Sequence, residues 1–339
     1  MNIGILGAGS WAIALAVLLQ KRGDHAIRMW EFSKSDAEML RSKRVHAVKL
    51  PGIFIPENIS IDNSIGDTLS SAECVICAVP SQTMRSTMKR IVTEVPGATI
   101  QSVKYWVIVA KGIEIDSLKL MTDILLEELP SLDVSKIIVL SGPSHAEEVS
   151  RGLPTTVVAA CETVENAVII QETFSTQTFR IYTNTDVRGV ELAGSVKNVI
   201  ALAAGICDGL GLGDNTKGAL LTRGIVEMMR LGKAMGAQES TFSGLAGIGD
   251  LITTCISKHS RNRHMGELLA SGLSLEDALG QMTMVAEGVT TTRSVFALSQ
   301  KLGIEMPITQ EVYRALFEGK DAKRAVKDLM VRESKPEWW

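Results

Sequence analysis

The chain predicts an α/β fold. A Rossmann-type, mostly parallel sheet domain covers residues 1–187, and an all-helical domain follows over 188–339. Three observations carry this expectation. Residues 3–6 form a short apolar run that passes straight into Gly7-Ala8-Gly9-Ser10-Trp11-Ala12 and then into a helical pattern over 13–20 without Pro or Gly. Strand, tight glycine turn and helix open a dinucleotide-binding unit. Through the first half, short apolar runs alternate with helical segments, as a parallel sheet covered on both faces requires. From Val187 onward no strand pattern recurs, and helical segments follow one another, broken by Gly and Pro.

Size and composition agree with two globular domains. The chain has 339 residues, 45% of them apolar and 22% charged. A net charge of -3 gives no general attraction to nucleic acid or to an anionic membrane. Aromatic residues, at 4%, are too few for base-stacking platforms. The longest apolar run of the second half, 199–207, has nine residues, whereas a membrane span needs about 20. Five cysteines, an odd number, and no leader-like start point to a reduced, cytoplasmic, soluble protein. Cys74 and Cys77 form a CxxC, but inside an apparent strand, where residues three apart face opposite ways. They read as core. The five histidines show no metal spacing, so no metal site is expected.

In the glycine turn, Gly7 permits the sharp bend and Gly9 leaves the backbone open to a pyrophosphate. Ala12 takes the third small position, where helix packs on strand. The helix N-terminus supplies free N–H groups and a partial positive charge. A second strand, 26–30, ends at Glu31, which could bind the adenosine ribose or be a solvated charge. A helix over 36–44, a loop over 51–56 and a helix over 65–72 lead to a strand at 74–79. An amphipathic 81–95, a strand at 107–110, a helix over 118–129 and a strand at 137–140 follow. Gly7, Glu31, Pro80, Lys111 and Gly142 each lie just past a strand and so line one sheet edge, where such folds bind ligands. Ser144 to Glu147 read as a capping box opening a helix. Strands at 156–160 and 179–182 close the first domain. Helices are then expected over 189–204, 219–235, 263–271, 275–282, 290–302 and 309–317. The chain ends Pro336-Glu337-Trp338-Trp339, with two tryptophans expected to be exposed.

A nicotinamide cofactor carries hydride but no proton, so the protein must supply a general acid and base. His145 stands at a strand end, but a lone histidine is more often structural. Lys197 lies among apolar and small residues, and burial or a nearby cation such as Lys111 would lower its pKa. The other reading is a lysine that snorkels to solvent. Asp250 follows the glycine-rich 244–249, expected as a flexible loop, and could cap a helix, orient a lysine or bind a hydroxyl. Ser260, Arg261 and Asn262 could hold a phosphate or form a solvated basic turn.

The set of segments resembles the soluble NAD(P)-dependent glycerol-3-phosphate dehydrogenase family. The likeness rests on GAGSWA at 7–12, VPSQ at 79–82, AKGIE at 110–114, SGPSHAEEV at 141–149, ELAGSVKNVIALAAG at 191–205, DGLGLGDNTK at 208–217, GLAGIGDLITTC at 244–255, SRNR at 260–263 and VAEG at 285–288. The resemblance implies reversible reduction of dihydroxyacetone phosphate to sn-glycerol 3-phosphate for phospholipid synthesis, in a homodimer. It implies that Lys197 is the proton donor and acceptor, that Lys111 and Asp250 contact the substrate, and that Asn198 is close to the reacting centre. Ser260, Arg261 and Asn262 would bind the substrate, with Gly142 and Ser144 beside it. Ser10, Trp11, Lys111, Ala146, Arg261, Val285 and Glu287 would face the cofactor. Phe32 stands where many bacterial members carry His or Arg. Glu31 favours NAD and Lys34 could attract a 2′-phosphate, so the cofactor is NAD or NADP. A dehydrogenase of another hydroxy acid and a non-catalytic dinucleotide sensor remain as alternatives.

Overall fold

In the computed structural model, which describes residues 1–337, the first part of the chain folds around one eight-stranded sheet. Its strands and those of a small hairpin are, in chain order, β1 (Asn2–Leu6), β2 (Ala26–Trp30), β3 (Val45–His46), β4 (Leu50–Phe54), β5 (Ser60–Asp62), β6 (Cys74–Cys77), β7 (Tyr105–Ile108), β8 (Ile137–Ser141), β9 (Thr155–Ala160) and β10 (Phe179–Asn184). The sheet order is β10-β9-β8-β7-β6-β1-β2-β5. Its neighbours are parallel throughout except β8 and β9. The two C-terminal tryptophans, expected to be exposed, lie outside the described residues.

The chain leaves β1 for β2 on one side and later returns to β6 on the other. The connections therefore diverge between β1 and β6, and that divergence opens the ligand crevice of such sheets. Gly7 sits at this point with φ +107°, and a Cβ there would stand 3.0 Å from the Ala78 carbonyl oxygen. Only glycine closes the turn so tightly against the chain leaving β6.

The two sheet faces bury different layers. Ile3, Ile5 and Cys74 pack under the Ser10–Arg22 and Val164–Phe174 helices. Leu6, Val75, Cys77 and Trp106 pack under Met84–Glu94 and Met121–Glu128. The CxxC pair is thus split between opposite faces, and burial pushes both thiols above their ordinary range. They are core residues.

Beyond Asn184 the described residues form helices only. The Val187–Gly209 helix is buried continuously from Gly189 to Cys207 and is wrapped by Gly213–Ala234, Asp250–Ile256, Arg261–Ala270 and Glu287–Leu302. It is long and apolar enough to cross a membrane, but all of its most apolar stretch lies inside the protein, and it carries Glu191, Lys197 and Asn198. It is the core helix of a globular domain. Gly205 and Gly266 let it touch the Arg261–Ala270 helix backbone to backbone, because a Cβ on either would overlap a carbonyl of the other helix.

Two buried carboxylates join elements by capping helix starts. Glu191 accepts from the Thr122 N–H (2.9 Å) and hydroxyl (2.8 Å). Glu227 accepts from the N–H groups of Ile308 (2.5 Å) and Thr309 (3.1 Å) and from the Thr309 hydroxyl (2.9 Å). Burial pushes both up to about 7.

Several expectations need correction. Residues 51–56 were expected as a loop, yet β4 occupies Leu50–Phe54 and pairs with β3. Pro51 and Gly52 are tolerated there because the hairpin is a two-stranded ribbon with no third strand to satisfy. The expected 107–110 strand lies two residues earlier, at Tyr105–Ile108. The 244–249 segment is no flexible loop but a π-helical turn, Leu245–Gly249, continuous with Asp250–Ile256. Gly247 makes it possible, since a Cβ there would overlap the Phe242 backbone. The Ser144 capping box does not form. His145 occupies the N-cap of the Ala146–Ser150 helix, and the Ser144 hydroxyl instead donates to the Gly142 carbonyl at 2.9 Å.

Candidate active site

The cofactor half of the site starts at Gly9, the N-cap of the Ser10–Arg22 helix. A Cβ on Gly9 would meet nothing within 4 Å. The N–H groups of Ser10, Trp11 and Ala12 belong to the first turn, which has no acceptors within the helix, and stand at its positive end. Ala12 is fully buried against the sheet, as the third small position requires. The Trp11 ring is half-buried, 6.5 Å from Phe179. These residues fit a dinucleotide pyrophosphate.

Glu31 is not a solvated charge. It is 8% exposed, accepts from the Ser33 N–H at 3.1 Å, and has the Lys49 ammonium 3.9 Å away. Next to it, Phe32 is 68% exposed, with the Arg90 guanidinium 5.5 Å from its ring centre.

The polar centre lies where the sheet edge meets the long helix. Lys197 projects from the middle of that helix, and its ammonium donates to Asp250 Oδ1 at 2.6 Å and to the Thr254 hydroxyl. Lys111, just past β7, donates to Asp250 Oδ2 at 2.6 Å and to the Gly142 carbonyl at 3.2 Å. Gly142 itself has φ +138° and backs onto Val157, so its carbonyl is fixed. Gly194 is the small residue that matters on the long helix. The Lys111 stem passes 3.6 Å from where its Cβ would be, and Ser141 Oγ lies closer still.

One buried carboxylate thus serves two ammonium groups. Burial alone would raise the Asp250 carboxyl, but Lys111 and Lys197 overcome it and hold the group below its ordinary value. For Lys197 burial dominates, Asp250 opposes it and Lys111 adds to it, leaving the ammonium at about 8. The snorkelling alternative fails, because Lys197 is 6% exposed.

A second polar chain runs beside it. The Gly288 N–H donates to Asn262 Oδ1, and Asn262 Nδ2 donates to Asn198 Oδ1, both at 2.8 Å. Ser260 caps the Arg261–Ala270 helix, accepting from the Arg263 N–H at 3.2 Å, which leaves its own proton free to donate elsewhere. Arg261 lies on the exposed side and donates to the Val285 carbonyl at 2.9 Å. Glu287 reaches across to the sheet edge, accepting from the Ser81 hydroxyl at 2.5 Å and the Ser81 N–H at 3.3 Å. Burial raises its pKa. Ala146 is buried at the start of its helix.

Lys111, Gly142, Lys197, Asn198, Asp250 and Asn262 are therefore brought together, with Ser260 and Arg261 at one side. Glu31 and Phe32 lie apart, at the end of β2. Thr254 and Ser81 were not singled out in the sequence. A helical reading of 250–256 would have found Thr254, one turn from Asp250. Ser81 carries no such signal, since its partner is 206 residues away.

Comparison with known proteins places the chain in a family. Residues 2–167 match the family model for the NAD-dependent glycerol-3-phosphate dehydrogenase N-terminus, and residues 186–327 match that for its C-terminus. A glycerol-3-phosphate dehydrogenase [NAD(P)+] of Chlorobium limicola is 50% identical over 339 residues, 99% of each chain. One from Fusobacterium nucleatum is 46% identical over 337 residues, covering 99% of this chain and 98% of the other. The crystal structure of glycerol-3-phosphate dehydrogenase from Coxiella burnetii superimposes with TM-score 0.92 at 36% identity, covering 98% of this chain and 99% of that one. With both halves matched, and with relatives this similar along its whole length, the chain belongs to the NAD-dependent glycerol-3-phosphate dehydrogenase family.

Proposed function

We propose that this chain reversibly reduces dihydroxyacetone phosphate to sn-glycerol 3-phosphate with NADH or NADPH, and that Lys197 moves the proton. The observation that carries the reading is the buried carboxylate of Asp250 held between Lys197 and Lys111, both at 2.6 Å, beside an open glycine turn. When bound, the nicotinamide supplies the hydride. Gly7, Gly9, Ser10, Trp11 and Ala12 would hold its pyrophosphate, and Ala146, Arg261, Val285 and Glu287 would border the rest.

In the reducing direction the Lys197 ammonium gives its proton to the substrate carbonyl oxygen, which becomes the new hydroxyl. In reverse the Lys197 amine takes that proton. A pKa of about 8 suits both, because neither form is scarce near neutral pH. Asp250 stays ionised, aims both lysines and remains an acceptor. Lys111 and Asn198 steady the oxygen and its neighbours. Arg261, with Ser260 and Asn262, takes the phosphate, for which a planar fork of donors suits better than a point charge. Gly142 and Ser144 border the substrate through the backbone.

Three finer statements belong to the same proposal. The division at 187/188 follows the end of β10 and the start of the long helix. A homodimer is supported by Ile248, Ile252 and Ile256, a ridge one helical turn apart and 40%, 40% and 58% exposed, which a second copy would cover. Sedimentation at micromolar concentration tests it, and a monomer would refute it. A cytoplasmic location is supported by five cysteines, all free and buried.

The decisive assay mixes the protein with dihydroxyacetone phosphate and NADH or NADPH and follows loss of the reduced nicotinamide. Turnover of a keto acid instead would favour a different dehydrogenase, and cofactor binding without turnover would favour a sensor.

A further inference from the structure

Asp208, Lys217 and Arg263 have no part in the site described above, yet they meet at one point. Asp208 lies in the last turn of the Val187–Gly209 helix, where an acidic side chain faces the negative end of the helix dipole. Two cations offset that cost. Arg263, in the first turn of the Arg261–Ala270 helix, donates from Nε to Asp208 Oδ2 at 2.5 Å. Lys217, in the second turn of the Gly213–Ala234 helix, pairs with Asp208 Oδ1. Gly211 and Gly213, with φ +65° and +77°, turn the chain back between the two helices. The Asp208, Lys217 and Arg263 side chains are 19%, 18% and 19% exposed, so water screens the pairs only in part.

The helix that Arg263 belongs to carries the phosphate subsite. Ser260 is its N-cap, and Arg261 and Asn262 are its first residues. At about 100° per residue, Arg261 points nearly opposite to Arg263. A bond that holds Arg263 on Asp208 therefore turns Arg261 the other way, where it meets the Val285 carbonyl. Glycines line the seam between this helix and the long one. Gly205 meets Gly266 backbone to backbone. One turn on, a Cβ on Gly209 would stand 3.1 Å from the Glu267 carbonyl oxygen and 2.6 Å from the Ala270 Cβ. Such a seam fits closely but lacks the large side-chain ridges that fix how two helices lie. Two polar ties cross it, Asn198 with Asn262 and Asp208 with Arg263. Lys197 and Asp208 stand on the same helix, so the second tie sets the phosphate subsite against the proton donor. A slip of one residue along a helix is about 1.5 Å, and misplacement by about 1 Å can cost ~100-fold in rate.

We propose that Asp208 is a positioning residue. Through Arg263 and Lys217 it holds the helix start at 260–262 at the distance from Lys197 that dihydroxyacetone phosphate spans. The inference rests on the reading of Arg261 as the phosphate-binding residue.

The test measures kcat and KM on dihydroxyacetone phosphate, and kcat/KM on unphosphorylated dihydroxyacetone. It uses wild type, Asp208→Asn, Asp208→Glu, Arg263→Met, the double variant Asp208→Asn/Arg263→Met, and Arg261→Ala. Asp208→Asn and Arg263→Met should each lose about 10- to 100-fold in kcat/KM on the phosphorylated substrate, chiefly through KM, and less than about twofold on dihydroxyacetone. Asp208→Glu, which keeps the charge on a longer stem, should recover part of the loss. The double variant should be no worse than either single one, because both remove the same tie. The alkaline limb of the reduction profile near pH 8 should stay in place, since Lys197, Lys111 and Asp250 are untouched. If Asp208→Asn does not fold, Arg263→Met, which leaves Asp208 paired with Lys217, makes the same comparison. Equal losses on both substrates, no loss on either, or additive losses in the double variant would overturn the proposal. So would a lowered KM, the result if the freed cations merely attracted the phosphate. If Arg261→Ala loses only on the phosphorylated substrate while Asp208→Asn and Arg263→Met keep the wild-type ratio, this inference alone fails. If Arg261→Ala loses equally on both, the phosphate subsite fails and this inference with it.

Discussion

Lys197 is pulled both ways by its neighbours: burial and Lys111 favour the amine, Asp250 the ammonium. Reduction needs the ammonium, so its kcat should fall as pH rises through about 8. The reverse reaction needs the amine and should fall as pH drops through the same value. Removing the carboxylate in Asp250→Asn should shift the alkaline limb of the reduction profile to lower pH, because the group that favours the ammonium is gone. A limb that stays in place or moves up would mean that Asp250 does not set this proton. Arg261→Ala should raise KM for dihydroxyacetone phosphate about 10- to 200-fold, since a charge-assisted bond is worth ~1.5–3 kcal/mol. Unphosphorylated dihydroxyacetone should lose far less. Equal losses on the two would show that Arg261 does not read the phosphate. Lys197 was legible in the sequence because a lysine among Ala, Gly and Val has no other reason to be buried. Asn262 was legible only as a possible phosphate donor. Its bonds to Asn198 and Gly288 depend on helix packing that no local pattern encodes.

Among the elements, the strand–turn–helix start separates folding from binding. Gly9→Val adds a side chain where nothing lies within 4 Å, so the variant should fold and lose NADH binding. Gly7→Val meets the Ala78 carbonyl at 3.0 Å with φ +107°, so it should be destabilised, with backbone strain alone costing ~1–3 kcal/mol. Thermal unfolding and NADH titration of the pair distinguish these outcomes. A stable Gly9→Val with unchanged affinity would mean the turn is not the cofactor site. Glu227→Ala should cost ~2–4 kcal/mol in denaturant unfolding, because it strands the N–H groups of Ile308 and Thr309 in a buried place. A loss below about 1 kcal/mol would refute the capping role. The main strands and long helices were readable because their apolar runs are long and cleanly bounded. β4 was not, since Pro51 and Gly52 are turn residues everywhere except in an unshared hairpin. β5, at three residues, is too short to announce itself.

At the level of the whole molecule, the candidate site exists only where the two parts meet. Lys111 and Gly142 come from the sheet edge, Lys197 and Asp250 from helices, and Asp250 joins them across 139 residues of sequence. Glu287 and Ser81 make a second tie, and Ala246 and Val190 are buried in the sheet's own core layer. The two-part architecture was legible from the change of periodicity near residue 187. These cross-links were not, because they are set by how the long helix packs on the sheet. The central claim, that Lys197 moves the proton, is tested most directly by Lys197→Met, which keeps the bulk and removes the charge. NADH binding should be nearly unchanged and kcat should fall ~100- to 10,000-fold, the usual worth of general acid–base help. A folded Lys197→Met that binds NADH and keeps more than about a tenth of wild-type kcat would contradict it.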